Sequence, residues 1–162
     1  MAELLDGDIV VEEKLDGKTE PRKVPNNPNI IVFGENLKYR HSIRYTRLPD
    51  WFIAFDILDT PEKRFLNHNE KKAMFAAYSF NSSPALYEGP GKSVEFLVDL
   101  IGRSTYSDET MEGVVVKNYG KQLFGKLVRA DFVETIDREG HWIRRRKIEM
   151  NRLIPGTTAR WG

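Results

Sequence analysis

Short hydrophobic runs separated by turn-forming residues predict a mixture of strands and helices. The Val and Ile content of 9–13 and 30–33 predicts two strands, separated by a Pro- and Asn-rich loop over 21–28. The apolar run 52–58 has the length of a strand and is stopped by Asp59-Thr60-Pro61. We interpret it as a central strand that is buried on both faces.

Two later segments carry helix signals. The stretch 67–70 resembles a capping box ahead of 71–78, which is rich in helix formers. Ser93 can cap a second helix over 94–101, and a glycine follows as a stop. The apolar residues of this second helix share one face, which we interpret as structural. They are Val94, Leu97, Val98 and Ile101.

The best hairpin candidate joins strands 113–117 and 122–129 through a turn at 118–121. A short helix is predicted over 132–138, leading into a basic C-terminal segment at 138–162. Strand clusters with a few helices, without regular alternation of strand and helix, indicate an antiparallel α+β domain.

Length and composition limit the possible classes. At 162 residues we expect a single domain over 1–162 with its own core. The chain has no cysteine, which excludes disulfides and thiolate metal sites. No signal peptide or long apolar run is present, so we expect a soluble, cytoplasmic protein that does not enter a membrane.

Charge is unevenly distributed although the net charge is only +1. Residues 1–20 hold seven acidic and two basic side chains, whereas 138–162 hold seven basic and two acidic ones. The tail therefore carries the phosphate-binding potential. We expect it to bind nucleic-acid phosphates through Arg144, Arg145, Arg146 and Lys147, and the alternative is a solvated charged face.

One charged pair near the N-terminus indicates chemistry. Lys14 and Asp16 lie two positions apart at the end of a β-branched run, and Gly17 follows. Side chains two apart in a strand share a face. The spacing therefore suggests a placed nucleophilic amine.

Five short blocks, in this order, resemble the collinear motifs of the covalent nucleotidyltransferases and, among them, the ATP-dependent RNA ligases. They are VVEEKLDG at 10–17, VFGE at 32–35, WFIAFDI at 51–57, EGVVVK at 112–117 and GKLVR at 125–129. The resemblance spans roughly 9–153. It implies an ATP-grasp-like domain, in which twisted antiparallel sheets with flanking helices surround a nucleotide cleft.

The first block then acquires specific roles. The resemblance implies that Lys14 attacks the α-phosphorus of ATP and holds the AMP, for which its amine must first lose a proton. It places Glu13 near the adenine. Asp16 would orient the amine or a hydrated metal, and Gly17 would permit a tight exit from the strand.

The middle blocks supply the nucleotide contacts. Glu35 resembles the carboxylate that binds the ribose hydroxyls, with an exposed turn glutamate as the alternative. Phe55 would stack on adenine while Asp56 supports the site, and the alternative for Phe55 is plain core.

The last two blocks would hold metal and phosphate. Glu112 would bind the catalytic Mg²⁺, and Lys117 closes the same block as part of the nucleotide site. Lys126 and Arg129 would clamp the α-phosphate. Three positions along a strand from Lys126, Arg129 would face away unless a bulge turns it.

The leading hypothesis is an ATP-dependent RNA ligase that joins 5′-phosphate and 3′-hydroxyl ends through lysyl-AMP, with ATP, Mg²⁺ and RNA as ligands. The rivals are a DNA ligase, a GTP-using capping enzyme, and a non-catalytic nucleotide- or RNA-binding remnant. Only 21 positions separate Lys14 from Glu35, fewer than is usual in the family, so a partner chain or homo-oligomer could complete the RNA site. The block 39–45 offers RNA or phosphate contacts, while His41 could equally be a packing histidine.

Overall fold

The computed structural model describes residues 1–130 and 148–161, which form two four-stranded antiparallel sheets and two helices. The elements, in chain order, are β1 (Asp8–Lys14), β2 (Lys18–Val24), β3 (Asn27–Asn36), β4 (Phe52–Asp59), β5 (Arg64–Phe65), α1 (His68–Tyr78), β6 (Ala85–Pro90), α2 (Val94–Leu100), β7 (Gly113–Asn118) and β8 (Leu123–Val128).

The first sheet has the strand order β6-β1-β7-β8, so the two central strands are β1 and β7. One face packs against α2 through a core that includes Val11, Val114 and the fully buried Leu97. Because side chains alternate along a strand, the opposite face of β1 carries Glu12 and Lys14. The first sheet therefore has one apolar face and one face that bears charged groups.

The second sheet has the order β2-β3-β4-β5 and confirms β4 as a strand buried on both faces. Phe52 belongs to the core formed with α1, while its neighbour Ile53 belongs to a separate core under the 37–48 loop. Both side chains are fully buried. Alternation along β4 thus joins two hydrophobic cores.

The prediction of a loop over 21–28 is wrong, because this stretch contains the turn of the β2–β3 hairpin and the strand residues next to it. Pro21 is tolerated because β2 is an edge strand, where a missing N–H breaks no ladder. Asn26 takes the left-handed conformation in the turn, with φ 64°, which asparagine tolerates better than most residues. The Pro and Asn content therefore marks an edge strand and a tight turn.

The first predicted helix is confirmed together with its capping box, in which Asn67 and Glu70 exchange side-chain and backbone hydrogen bonds. The second helix is also confirmed, with Ser93 as its N-cap. The interpretation of its apolar face needs correction, because Val94 is 39% and Val98 49% exposed. This seven-residue helix buries only Leu97 fully.

The predicted hairpin of 113–117 and 122–129 is confirmed by β7 and β8. Strands β5 and β6 were not predicted, and the helix expected over 132–138 lies outside the described residues. The segment 148–161 returns to the second sheet, where Trp161 stacks on Phe80 at 4.1 Å between ring centroids. Within the described residues, no helix is long and apolar enough to cross a membrane.

Two apolar side chains of α2 give a matched test of the first core. We expect Leu97→Ala to lower the free energy of unfolding by about 2–5 kcal/mol, because it leaves a cavity beneath a fully buried position. Val98→Ala, one residue along, should change it by no more than about 0.5 kcal/mol. Urea denaturation measures both, and equal losses would contradict the assigned orientation of α2.

Candidate active site

A cleft of about 640 Å³ lies between the two sheets. Strands β1, β7 and β8 contribute one wall, and β2, β3, β4 and β5 contribute the other. The charged residues that line it are Glu12, Glu13, Lys14, Glu35, Asp56, Lys117 and Lys126. Both sheets therefore bring predicted site residues to one concave surface.

Lys14 and Glu112 meet at one end of the cleft. Lys14 is the last residue of β1 and pairs in register with Gly113, so the preceding Glu112 lies beside it. The Lys14 Nζ donates to Glu112 Oε1 at 2.8 Å, and the Lys14 side chain is 21% exposed. The predicted amine is thus held by a carboxylate while it remains accessible to solvent.

Asp16 makes no hydrogen bond to the Lys14 amine, so the expectation that it orients the amine is not met, and its alternative role with a hydrated metal stays a prediction. Its Oδ2 accepts hydrogen bonds from the backbone N–H groups of Ser42 and Ile43, at 2.7 and 2.8 Å. The Lys14 amine is oriented by Glu112 instead. Asp16 lies beyond the end of β1, so strand alternation no longer controls its direction, and it fixes a loop to the strand end.

Gly17 meets the expected steric need for a glycine. A Cβ at this position would lie 2.6 Å from Asn36 O and 2.6 Å from a methyl carbon of Leu37. Such contacts are closer than side chains tolerate, so only glycine permits this approach of the backbone. The turn after Lys14 can then lead directly into the β2–β3 hairpin.

Glu13 faces away from Lys14, and its carboxylate points to the opposite side of the first sheet. There it accepts hydrogen bonds from Ser104 Oγ at 2.5 Å and from the Thr105 N–H at 2.9 Å. Any contact between Glu13 and an adenine in the cleft would therefore involve its main chain.

Two glutamates in this region have buried oxygens without partners in the described structure. They are Oε2 of Glu35 and Oε2 of Glu112. Burial raises the pKa of Glu35 to about 7, and burial also raises the pKa of Glu112 against the opposing effect of Lys14. Unpaired buried carboxylate oxygens are costly, so both positions favour a cation or a hydroxyl donor as ligand.

This donor set fits a magnesium ion held mainly by substrate. Among the described residues, no group of three or more His, Cys, Asp or Glu side chains could hold a metal. Mg²⁺ prefers oxygen ligands and is usually bound by one or two carboxylates together with phosphates and water. Oε2 of Glu112, which has no partner among the described residues, is an oxygen donor of this kind.

Aromatic rings cover much of the remaining cleft surface. The rings of Phe33, Phe65 and Phe124 form a row across it, with distances of 6.1 and 5.2 Å between the centroids of neighbouring rings. Phe55 also lines the cleft, and the Lys117 ammonium lies 5.1 Å from its ring centroid. The cleft thus offers apolar surfaces that suit a nucleobase.

A buried cluster of charged groups, here named the ion network, joins both sheets to α1. Lys71 Nζ lies 2.5 Å from Glu12 Oε2, and Lys117 Nζ lies 2.6 Å from Glu12 Oε1 and 2.9 Å from Asp56 Oδ2. The network consists of Glu12, Asp56, Lys71, Lys117 and Tyr119.

Both ammonium groups also donate to the Phe55 carbonyl, at 2.8 Å from Lys71 and 3.0 Å from Lys117. Burial and the charge of Lys117 lower the pKa of Lys71. Burial alone would lower the pKa of Lys117. The negative charges of Glu12 and Asp56 have the larger combined effect, so the pKa of Lys117 is raised. The network therefore fixes the main chain that carries the cleft-lining Phe55 ring.

Glu12, Lys71 and Tyr119 were missed by the sequence analysis. The two-residue spacing between Glu12 and Lys14 was a usable signal, because it places both on the cleft face of β1. Lys71 gave no local signal, since a lysine in an amphipathic helix usually faces solvent.

The two cationic residues predicted to contact the α-phosphate, Lys126 and Arg129, lie at different places in the structure. Lys126 lines the cleft and has no hydrogen-bond or ion-pair partner among the described residues. Arg129 donates from Nε to the Met111 carbonyl at 2.7 Å, and it is not part of the cleft lining. Without a bulge in β8, the three-residue spacing turns Arg129 away from Lys126. Arg144, Arg145, Arg146 and Lys147 lie outside the described residues.

A family model described as RNA ligase matches residues 18–129, more than half of the chain. The chain belongs to the RNA ligase family. Lys14, Asp16 and Gly17 precede the matched segment of this family member, so the case for Lys14 depends on its geometry in the cleft.

Solved structures with a similar fold include several of Naegleria gruberi RNA ligase. The structure with pyrophosphate has a TM-score of 0.64 at 18% identity and covers 84% of this chain and 53% of that one. A mutant with ATP and Mn has a TM-score of 0.63 at 16% identity, with 84% and 53% covered. A mutant in the apo state also has a TM-score of 0.63, at 16% identity, with 85% and 53% covered.

These similarities establish a shared fold of two antiparallel sheets with few helices. The chain spans about half the length of the Naegleria gruberi ligase structures that it matches. None of the curated proteins matches this chain.

The ion network makes a stability prediction. We expect Lys71→Met to lower the free energy of unfolding by about 3–5 kcal/mol, because it leaves two buried carboxylates with one cation. The double variant Glu12→Gln/Lys71→Met restores charge balance and should lose less than Lys71→Met alone. Lys72→Met, at the exposed neighbouring position, is the matched control for urea denaturation, and a loss equal to that of Lys71→Met would contradict the network.

Glu35 makes a prediction about pH. Its pKa is raised from 4.5 to about 7 in the folded protein, so the folded state binds the proton more tightly than the unfolded state does. The resulting stability is complete below pH 4.5 and is lost as the pH rises through 7. Between pH 4.5 and 8, the free energy of unfolding should therefore fall by up to about 3 kcal/mol more in the wild type than in Glu35→Gln.

Chemical denaturation at a series of pH values measures this difference. Glu62→Gln, at an exposed position, should retain the wild-type pH dependence. If the free energy of unfolding of wild type and of Glu35→Gln changed with pH in the same way, the pKa of Glu35 would not be raised by burial.

Proposed function

We propose that this RNA ligase family member is an ATP-dependent RNA ligase that forms a covalent AMP adduct on Lys14. The observation that carries the proposal is the Lys14–Glu112 pair, which holds an accessible amine at 2.8 Å from a carboxylate whose second oxygen is unpartnered. This pair opens onto a cleft that has aromatic walls and contains Lys126, which is unpaired within residues 1–130 and 148–161. In this proposal, the nucleophile Lys14, the aromatic surface for the nucleobase and the phosphate contact Lys126 share one cleft.

In the first step, the neutral amine of Lys14 attacks the α-phosphorus of ATP. A phosphorus–nitrogen bond forms, the bond to the pyrophosphate oxygen breaks, and pyrophosphate leaves. The amine proton can pass to water, because the Lys14 side chain is 21% exposed. Before attack, the hydrogen bond to Glu112 keeps the amine at the cleft surface.

Other cleft residues bind and orient the nucleotide in this proposal. The Phe55 ring stacks on adenine while the ion network holds its main chain in place. The free Oε2 of Glu35 accepts from a ribose hydroxyl. Lys126, unpaired among the described residues, contacts the α-phosphate and offsets the negative charge that develops there.

Magnesium would be held by Glu112 together with the phosphates of ATP. When bound, Mg²⁺ supplies charge neutralisation for the phosphates and for the departing pyrophosphate. The unpartnered, buried Oε2 of Glu112 is the protein ligand that supports this assignment.

In the later steps, AMP passes from Lys14 to an RNA 5′-phosphate, and a 3′-hydroxyl then displaces AMP to join the ends. RNA is the proposed substrate because the family match covers most of the chain. A DNA ligase and a GTP-using capping enzyme are rivals that share the first step.

A non-catalytic remnant is the rival from another class. The observation that favours it is the short connection after Lys14, which contains only the β2–β3 hairpin before Glu35. The guanidinium carbon of Arg22 in this hairpin lies 4.8 Å from the ring centroid of Phe52, which belongs to the core formed with α1.

Labelling with nucleotide decides between these functions. We expect incubation with ATP labelled in its α-phosphate, together with Mg²⁺, to leave label on the denatured wild-type protein. Lys14→Arg should abolish labelling, because the guanidinium is always protonated and is a poor nucleophile. Lys18→Arg alters an exposed lysine close in sequence and should retain the label.

Two further arms of the assay identify the substrates. Labelling from GTP in place of ATP would favour a capping-type enzyme, and joining of nicked DNA but not RNA would favour a DNA ligase. A folded wild-type protein that binds ATP without becoming labelled would support the remnant and refute the proposal.

A further inference from the structure

Two arginines of the 37–48 loop converge on a single carboxylate oxygen. Arg40 Nη1 lies 3.0 Å and Arg44 Nη2 lies 2.9 Å from Oε2 of Glu149. Two guanidinium groups that meet at one anionic oxygen form the arrangement by which arginines bind phosphate. Glu149 thus occupies a position suited to a phosphate oxygen.

The loop that carries these arginines is attached to the strand end beyond Lys14. Asp16 Oδ2 accepts from the N–H groups of Ser42 and Ile43, which lie between Arg40 and Arg44 in sequence. Two residues of chain span at most about 7 Å, so Lys14 and both arginines lie close to this carboxylate. The loop that carries the arginine pair is therefore anchored at the end of the strand that carries Lys14.

Both guanidinium groups can bind another anion in place of the Glu149 carboxylate. The Arg44 side chain is 53% exposed and the Glu149 side chain 47% exposed. Nε of Arg40 is buried and has no partner in the described part of the chain, so it retains an unused donor. The Arg40 N–H holds the Glu149 carbonyl at 2.7 Å, so the carboxylate can swing away while its main chain stays in place.

We propose that Arg40 and Arg44 form the binding site for the 5′-phosphate of the RNA substrate, and that Glu149 fills this site in the free protein. This inference rests on the proposed function, because it identifies the end of the RNA that accepts AMP. Displacement of the Glu149 carboxylate brings the terminal phosphate to the loop beside Lys14.

The reaction at this position balances. An oxygen of the bound 5′-phosphate attacks the phosphorus of the lysyl-AMP, forming a phosphorus–oxygen bond. The phosphorus–nitrogen bond to Lys14 breaks, and the lysine amine leaves and takes up a proton. The product is an RNA end that carries AMP through a pyrophosphate linkage.

Binding of two otherwise identical RNA oligonucleotides, one with a 5′-phosphate and one with a 5′-hydroxyl, tests the site without ATP. We expect wild type to bind the 5′-phosphorylated RNA more tightly by about 10- to 100-fold, as charge-assisted hydrogen bonds allow. Arg40→Ala/Arg44→Ala should lose this preference, and Arg44→Ala alone should reduce it. Glu149→Gln should bind the phosphorylated RNA more tightly by up to about 5-fold, because it removes a competing anion.

The matched control is Lys72→Ala/Lys92→Ala, which removes two exposed positive charges away from the cleft. It should weaken binding of both RNAs equally and preserve the preference for the 5′-phosphate. A wild type without that preference, or a double arginine variant that keeps it, would overturn the proposal. Weaker binding by Glu149→Gln would overturn the role of Glu149.

Single-turnover kinetics separate this site from the first step. The double arginine variant should form lysyl-AMP from ATP at the wild-type rate but transfer AMP to 5′-phosphorylated RNA about 10- to 100-fold more slowly. Unchanged transfer would overturn the inference. Absence of lysyl-AMP in the wild type would instead refute the proposed function, while the binding comparison would still report on the arginine site.

Discussion

The rest of the cleft depends on the buried ion network that joins its two walls. Glu12 belongs to β1 of the first sheet and Asp56 to β4 of the second, and Lys117 contacts both. Lys71 adds α1 to the same cluster. Because an uncompensated buried charge is costly, these groups favour one relative arrangement of the two sheets, which sets the position of the Phe55 main chain. The network thus connects the stability of the fold to the shape of the cleft.

The charged groups of the cleft region fall into two sets, those paired within the ion network and those that a ligand can contact. The network cations are paired with buried carboxylates, whereas Lys126 has no ion-pair partner within the part of the chain that the structure describes. Glu35 and Glu112 each have one side-chain oxygen that no described residue contacts by a hydrogen bond. In the proposed mechanism, these three groups bind the nucleotide, and the satisfied pairs hold the surface on which it rests.

Local signals predicted the elements that depend on local physics. The strand β1, the hairpin of β7 and β8, and the capped helix α1 follow from side-chain alternation, turn residues and capping. The family resemblance selected Lys14 and Glu112 as candidate site residues, and the structure brings these two side chains together. Residues whose position depends on tertiary contacts could not be predicted from local sequence. Lys71, for example, is buried because Glu12 and Asp56 face it from two different sheets.

Peptide mapping by mass spectrometry, after incubation with ATP and Mg²⁺, tests most directly whether the cleft presents Lys14 as the nucleophile. We expect the added mass of one AMP on the peptide that contains Lys14, and no adduct on the peptide that contains Lys126. An AMP adduct on any other residue, or an unmodified Lys14 in protein that has released pyrophosphate, would contradict this expectation.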